Sequence, residues 1–261
     1  MSNSLRIVLT LCVIVPAAVW TGCSGAKQGA LPTSETAWVE ARAKFLDGDY
    51  LEAEHLLDIM KLQYSGSAHA DSVQFLLGEC NTREGKFLLA AYEYGAVRRS
   101  FPSSPLVRQA QYNVAESYYN MAPPSEVDQE YSKKAVEEFQ AFLEMYGRPA
   151  GISDSLSAQA TSRIHELRDR QGKKAYETAV LYYNMNQFKA CGVYCDIVQE
   201  KYYDTGFAEQ AGLLKIKSLI EIHRYTEART AIESFLTTYR ASALVPTVRA
   251  LRETIENKGV Q

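Results

Sequence analysis

Gly48-Asp49-Tyr50-Leu51-Glu52-Ala53 is the stretch that decides the fold, because the chain keeps returning to it. It comes back as Gly85-Lys86-Phe87-Leu88-Leu89-Ala90, as Asn186-Gln187-Phe188-Lys189-Ala190-Cys191 and as His223-Arg224-Tyr225-Thr226-Glu227-Ala228, with a weaker copy ending at Ala135. Each copy runs from an aromatic or apolar residue through two variable positions to a small anchor. Four positions after the anchor stands an apolar residue: Leu57, Tyr94, Phe139, Cys195 or Ile232. That spacing is about one helical turn, so anchor and apolar residue share a face. Twelve positions before the anchor come Ala41, Gly78 and Ala179; Ala115 takes the role beyond an insert, and Ile216 holds it in the fifth unit. Small residues on two antiparallel helices let their backbones approach, and the aromatic residue plugs the turn. Each second helix ends near an aromatic residue: Tyr64, Phe101, Tyr146, Tyr202 or Tyr239. A single hairpin of this kind cannot bury its apolar face, so neighbours must stack. The spacing predicts an all-α chain, an α-solenoid of about five helix hairpins.

The small, aromatic and proline positions resemble the tetratricopeptide repeat. Successive anchors lie 37, 45, 56 and 37 residues apart, all longer than the ~34 of the ideal unit. Insertions are therefore expected between Tyr119 and Ala135, where Pro123-Pro124 stands, and around Gly147–Ser157. A long helix should follow from about Ala158 to Asn184, and residues 244–257 read as a helix capping the last hairpin.

Before the repeats comes an address. Residues 1–22 carry one charged side chain, Arg6, then an apolar run from Ile7 to Trp20, then Thr21-Gly22-Cys23. A positive start, an apolar middle and a small-residue end make a signal peptide. Its run is short for a membrane span of ~20 residues. Gly22-Cys23 resembles the end of a bacterial lipobox, which implies that Cys23 becomes the first mature residue and carries covalent lipid. Two or three acyl chains anchor firmly, at ~0.8 kcal/mol per buried CH₂. Ser24, not Asp, follows the cysteine, which by analogy with lipoprotein sorting implies the outer membrane. Residues 23–36 read as a lipidated flexible tether, 37–147 as N-terminal repeats one to three, and 148–257 as repeats four and five with a long linking helix and a cap.

The 261 residues are 46% hydrophobic and 23% charged, with a net charge of −3, a composition that excludes overall disorder and shows no basic footprint for nucleic acid. Chemistry is sparse. His55, His69, His165 and His223 are scattered, without the i, i+4 pairing of a zinc helix. Cys80, Cys191 and Cys195 form no zinc-ligand pattern, and Cys191 and Cys195 read as small buried side chains of one helical face. No glycine-rich phosphate loop follows a strand. No catalytic residue, metal or cofactor is expected, and the reading is against an enzyme.

The leader, tether and five repeats together resemble the BamD (YfiO) family, lipoproteins of the outer-membrane β-barrel assembly complex. The likeness rests on Tyr50-Leu51-Glu52-Ala53, on Ala91-Tyr92-Glu93-Tyr94 through Phe101-Pro102-Ser103-Ser104, and on Ala110 to Tyr119. Asp128-Gln129 before Ala135–Phe142, Arg163 to Arg170, and Tyr202-Tyr203-Asp204-Thr205 continue it. The resemblance implies a non-catalytic adaptor at the periplasmic face of the outer membrane. Its expected partners are unfolded outer-membrane barrel proteins, at the N-terminal repeats, and the POTRA domains of a BamA-like barrel protein, at the C-terminal ones. The family's basic contact residue on the second helix of repeat four falls near Tyr194, which is not basic.

By repeat position, the first helices of units one to three turn Trp38, Arg42, Phe45, Phe75, Glu79, Tyr112, Glu116 and Tyr119 toward a concave groove. Trp38, Phe45, Phe75 and Tyr112 are candidates for an aromatic lining that takes a peptide; aromatic residues at this spacing serve equally as core. Arg42 is a candidate for a peptide's terminal carboxylate, or a solvated surface arginine. The other reading is a different repeat lipoprotein serving cell-envelope or division machinery, as YbgF (CpoB) does, although no heptad segment stands between Cys23 and Ala37.

Overall fold

The computed structural model describes residues 33–147 and 154–258. Among them the regular structure is helical and runs α1 (Ser34–Leu46), α2 (Tyr50–Gln63), α3 (Ala70–Arg83), α4 (Phe87–Ser100), α5 (Val107–Asn120), α6 (Glu130–Tyr146), α7 (Ser155–Asn184), α8 (Phe188–Lys201), α9 (Phe207–Glu221), α10 (Tyr225–Thr238) and α11 (Val245–Lys258). Each helix packs against its neighbours in sequence, and α7 also meets α5 and α9. The chain is thus an all-α solenoid with local contacts. The first helices α5, α7 and α9 approach one another, while no pair of second helices packs as closely. The first-helix side is therefore the inner, concave one.

The repeat positions became the core. Ala41, Ala115, Ala179 and Ile216 on first helices are buried, with Gly78, as are the anchors Ala53, Ala90, Ala135, Cys191 and Ala228. Leu57, Tyr94, Phe139, Cys195 and Ile232, one turn beyond, are buried too. Full burial of each large apolar side chain contributes about 1.5–3 kcal/mol. Gly78 shows why a small residue is needed: a Cβ there would lie 2.6 Å from the Tyr94 ring.

In four of the five hairpins the turn holds one residue with positive φ, five before the anchor; the third, with its insert, holds none there. Gly48 (82°) and Gly85 (73°) provide it without strain, whereas Asn186 (57°) and His223 (58°) carry side chains there. Between hairpins a second turn recurs, built on an aromatic residue and a hydroxyl three positions later. The N–H groups of Ser67, Ser104, Thr205 and Ser242 donate to the carbonyls of Tyr64, Phe101, Tyr202 and Tyr239. In two of these turns the hydroxyl donates back to the next hairpin partner, Ser104 to Asp71 Oδ2 (2.6 Å) and Ser242 to Glu209 Oε2 (2.5 Å). Ser34 stands in the carboxylate's place for Ser67, whose buried hydroxyl has no partner among the described residues. Gly172 stands there for Thr205, whose hydroxyl turns to the Tyr202 carbonyl instead (2.7 Å).

The 30-residue α7 serves two units. Ala160 and Leu167 pack with Tyr112, Phe139 and Phe142, while Ala179 packs with Cys191 and Cys195. Three braces hold it in place. Arg108 of α5 binds Asp154 at its start. Arg168 grips Asp204 with two N–H groups (2.7 and 2.6 Å) and donates a third bond to the Lys201 carbonyl (2.7 Å). The Pro123-Pro124 insert lies along it, with Lys174 donating to the Val127 carbonyl (2.6 Å). The insert is knitted by the buried Gln129 amide, which donates to the carbonyls of Pro124 (2.8 Å) and Val127 (3.0 Å). At the C-terminal end α11 buries Val248 and Ile255 and leaves Arg249, Arg252, Glu253 and Glu256 in solvent.

Candidate functional site

The inner face of α3, α5 and α7 carries a polar ladder in two segments. Glu79 accepts the Tyr94 hydroxyl (2.7 Å) and the Asn113 amide (3.0 Å). One turn along α5, Glu116 accepts the Tyr112 hydroxyl (3.1 Å) and the Arg163 guanidinium (2.9 Å). Arg163 also donates to the Tyr119 hydroxyl (2.8 Å) and lies 3.9 Å from the centre of that ring. Tyr119 in turn donates to Glu166 (2.7 Å), which Arg170 holds from one turn further along α7 (2.5 Å). Helical spacing produces this order: Tyr112, Glu116 and Tyr119 lie three and four apart on α5, and Arg163, Glu166 and Arg170 do the same on α7.

Opposite charges alternate along the ladder. The hydroxyl of Tyr119, with Arg170 and Arg163, holds the Glu166 carboxyl below its usual range. Burial would depress the Arg163 guanidinium, but Glu116 beside it outweighs that and raises it. Tyr112 is pushed up to about 12, first by burial and then by Glu116, so it stays a hydrogen-bond donor. Burial, then Glu79, pushes the Tyr94 hydroxyl up as well. The face offers fixed donors, acceptors and one arginine-covered aromatic ring, the groups that engage a polypeptide's main chain and side chains.

The residues singled out in sequence fall in different surroundings. Cys23 lies outside the described residues. On α1, Trp38 is half-buried and stacks on His69, ring centres 5.1 Å apart, while Arg42 is exposed. His69 Nε2 lies 2.7 Å from Glu35 Oε2, which ties α1 to the start of α3. Phe45 meets the Tyr50 ring edge-on across the first turn (5.4 Å), and Phe75 meets Tyr94 the same way (5.3 Å). Tyr112 is 5% exposed, its ring set against Phe139 and Phe142 at 5.6 Å each, so that its hydroxyl is the part directed to the ladder. Tyr119 joins Arg163 directly. Arg163, Glu166 and Arg170 were not singled out as site residues in sequence; the signal for them was their i, i+3, i+7 spacing on a helix facing Tyr119.

Among the described residues no group of three or more His, Cys, Asp or Glu side chains is placed to hold a metal ion. The thiols among the described residues, Cys80, Cys191 and Cys195, are buried. Burial, reinforced by Glu54 and Glu84, pushes Cys80 up to about 12, and burial raises Cys195 too, so neither is a ready nucleophile. Among the described residues no helix is long and apolar enough to cross a membrane.

Solved structures similar to the chain include a tetratricopeptide repeat protein from Parabacteroides merdae, at 13% identity and a TM-score of 0.38, covering 87% of each chain. Another is the TPR2AB-domain:pHSP90 complex of yeast Sti1, at 12% identity and a TM-score of 0.42, covering 87% of this chain and 98% of that one. A third is BtubC from P. vanneervenii, at 15% identity and a TM-score of 0.35, covering 84% and 80%. No curated protein matches the sequence. The family model for YfiO, outer membrane lipoprotein, matches residues 32–218, most of the chain and all of the ladder, and the protein belongs to that YfiO (BamD) family of outer membrane lipoproteins.

Proposed function

We propose that the chain is a non-catalytic adaptor of the β-barrel assembly machinery, held at the periplasmic face of the outer membrane by lipid on Cys23. In this reading it assists folding and insertion of barrel proteins through protein–protein contacts alone. Family membership over residues 32–218 is the observation that carries it. The inner face supports it physically, because an adaptor for unfolded clients needs preset hydrogen-bonding groups beside aromatic surface. Client segments would lie along α1, α3 and α5, past Trp38, Arg42, Phe45, Phe75 and Tyr119, with the Tyr112 hydroxyl and the Arg163 ladder at the far wall. The C-terminal hairpins would meet the POTRA domains of a BamA-like partner, in a region where Leu181, Met185 and Val193 are exposed.

The test is affinity purification from detergent-solubilised membranes followed by mass spectrometry. Recovery of a BamA-like barrel protein as the main partner is expected; recovery of division or cell-envelope proteins in its place overturns the reading. A second measurement addresses the client face. Arg163→Ala and Tyr119→Ala should weaken binding of a synthetic barrel C-terminal peptide, and unchanged affinity in both would remove the ladder from the site.

A further inference from the structure

The second hairpin exposes an apolar surface on the opposite, outer side, where the repeat does not ask for one. On α4, Leu88, Leu89 and Tyr92 are 54%, 52% and 61% exposed. They stand two before, one before and two after the anchor Ala90. The same three places hold Lys133, Lys134 and Glu137 in the third hairpin, and Thr226, Glu227 and Thr230 in the fifth. The fold therefore forms with polar residues there, and burial within the hairpin gives no reason for the three large side chains.

They line a cleft of about 420 Å³ that opens between α4, α5 and α6, with Gly95 and Glu138 on its wall. Five after the anchor, the other hairpins carry Asp58, Gln140, Asp196 and Glu233; only the second leaves the place without a side chain. Arg99 lies over the opening, its guanidinium 3.0 Å from where a Gly95 Cβ would stand and 5.6 Å from the Tyr92 ring centre. Arg98 donates to the neutral Gln111 Oε1 (2.8 Å). Among the described residues neither arginine forms an ion pair with a carboxylate, and both are exposed; Glu138, on the cleft's wall, is held by the Gln111 amide (2.8 Å).

We propose that this outer cleft of α4 is a second docking site, for an internal segment of a partner protein that carries apolar side chains on one face and acidic side chains beside them. Leu88, Leu89 and Tyr92 take the apolar face, and Arg98 and Arg99 pair with the carboxylates. Charge complementarity chooses the occupant: two guanidiniums against the one Glu138 carboxylate, which the Gln111 amide holds (2.8 Å), leave the cleft with a net positive charge that favours carboxylates and repels a basic segment. The site is separate from the inner face and does not rest on the identity of the assembly complex.

The test uses the mature chain and a fluorescent, C-terminally amidated helical peptide with leucines on one face and glutamates on the other. Its controls replace glutamate by lysine or leave the C-terminus free. Binding of the glutamate peptide is expected, weakened about tenfold in Arg98→Glu/Arg99→Glu and, separately, in Leu89→Ser/Tyr92→Ser. Both pairs are exposed, and circular dichroism melts confirm that the variants stay folded. Equal binding of the lysine peptide, affinity unchanged in both variants, or binding that requires the free C-terminus would each overturn the proposal.

Discussion

The second and fifth hairpins share one register and differ in what they do with it. In the second, Gly78 faces Tyr94, whose hydroxyl emerges on the inner face to bond Glu79. In the fifth, Ile216 and Ile232 take those places and both end inside the apolar core. Outside, the second shows Leu88, Leu89 and Tyr92 where the fifth shows Thr226, Glu227 and Thr230. The common positions set backbone geometry, and the variable ones decide whether a hairpin also presents a surface. A solenoid can divide its labour in this way because each unit answers only to its neighbours.

The comparison breaks most sharply in the core. Ile216→Ala empties a fully buried site and should cost about 2–5 kcal/mol, read from the thermal unfolding midpoint. Gly78→Ala acts by the opposite route: its Cβ would press on the Tyr94 ring, and overpacking of this kind costs about 1–3 kcal/mol. Tyr94→Leu in the Gly78→Ala background should return part of that loss, whereas Ile232→Leu should return nothing to Ile216→Ala. A failure of this asymmetry in the double variants would mean that the two hairpins do not pack as described.

Smaller effects sharpen the likeness. Ser104→Ala and Ser242→Ala each remove a hydroxyl-to-carboxylate bond and should each cost about 1 kcal/mol, while Ser67→Ala, with no bond to lose, should be near neutral in denaturant titrations. At the inner turns, His223→Gly should stabilise by about 0.5–1 kcal/mol and Gly85→Ala destabilise by about 1 kcal/mol, because both residues hold positive φ. The smallest difference is in acid. Burial would raise the Asp71 carboxyl, but hydrogen bonds from Ser104 and Ser72 outweigh it and hold the group below its usual value. A carboxyl depressed in the folded state stabilises above its unfolded pKa of about 3.9, and that stability is lost as pH falls through the folded value. Melting points of Ser104→Ala and the parent should therefore converge below about pH 4; a constant gap would deny Asp71 this role.

Much of this was legible in the chain. Anchor and apolar spacings located every hairpin, since burial on a helix must recur each turn and cannot be hidden by context. The inter-hairpin turn was half legible: Tyr64, Phe101, Tyr202 and Tyr239 marked it, yet the hydroxyl three positions on passed unnoticed because its carboxylate partner stands 33 residues upstream. Aromatic residues were legible as apolar but not as core or groove. Tyr112 has the spacing of a groove residue, and its ring lies between Phe139 and Phe142 because α6 approaches α5 closely enough to cover it.

What the amino-acid order determined by itself is the local part: which segments are helices, where they turn, and which face each must bury. Helical periodicity and the backbone demands of a turn act over a few residues, and a linear text contains them in full. What only the tertiary structure decided is which side chains meet across units. Arg163 reaches Glu116 and Tyr119 from more than 40 residues away, through the approach of helices that no spacing within one hairpin specifies.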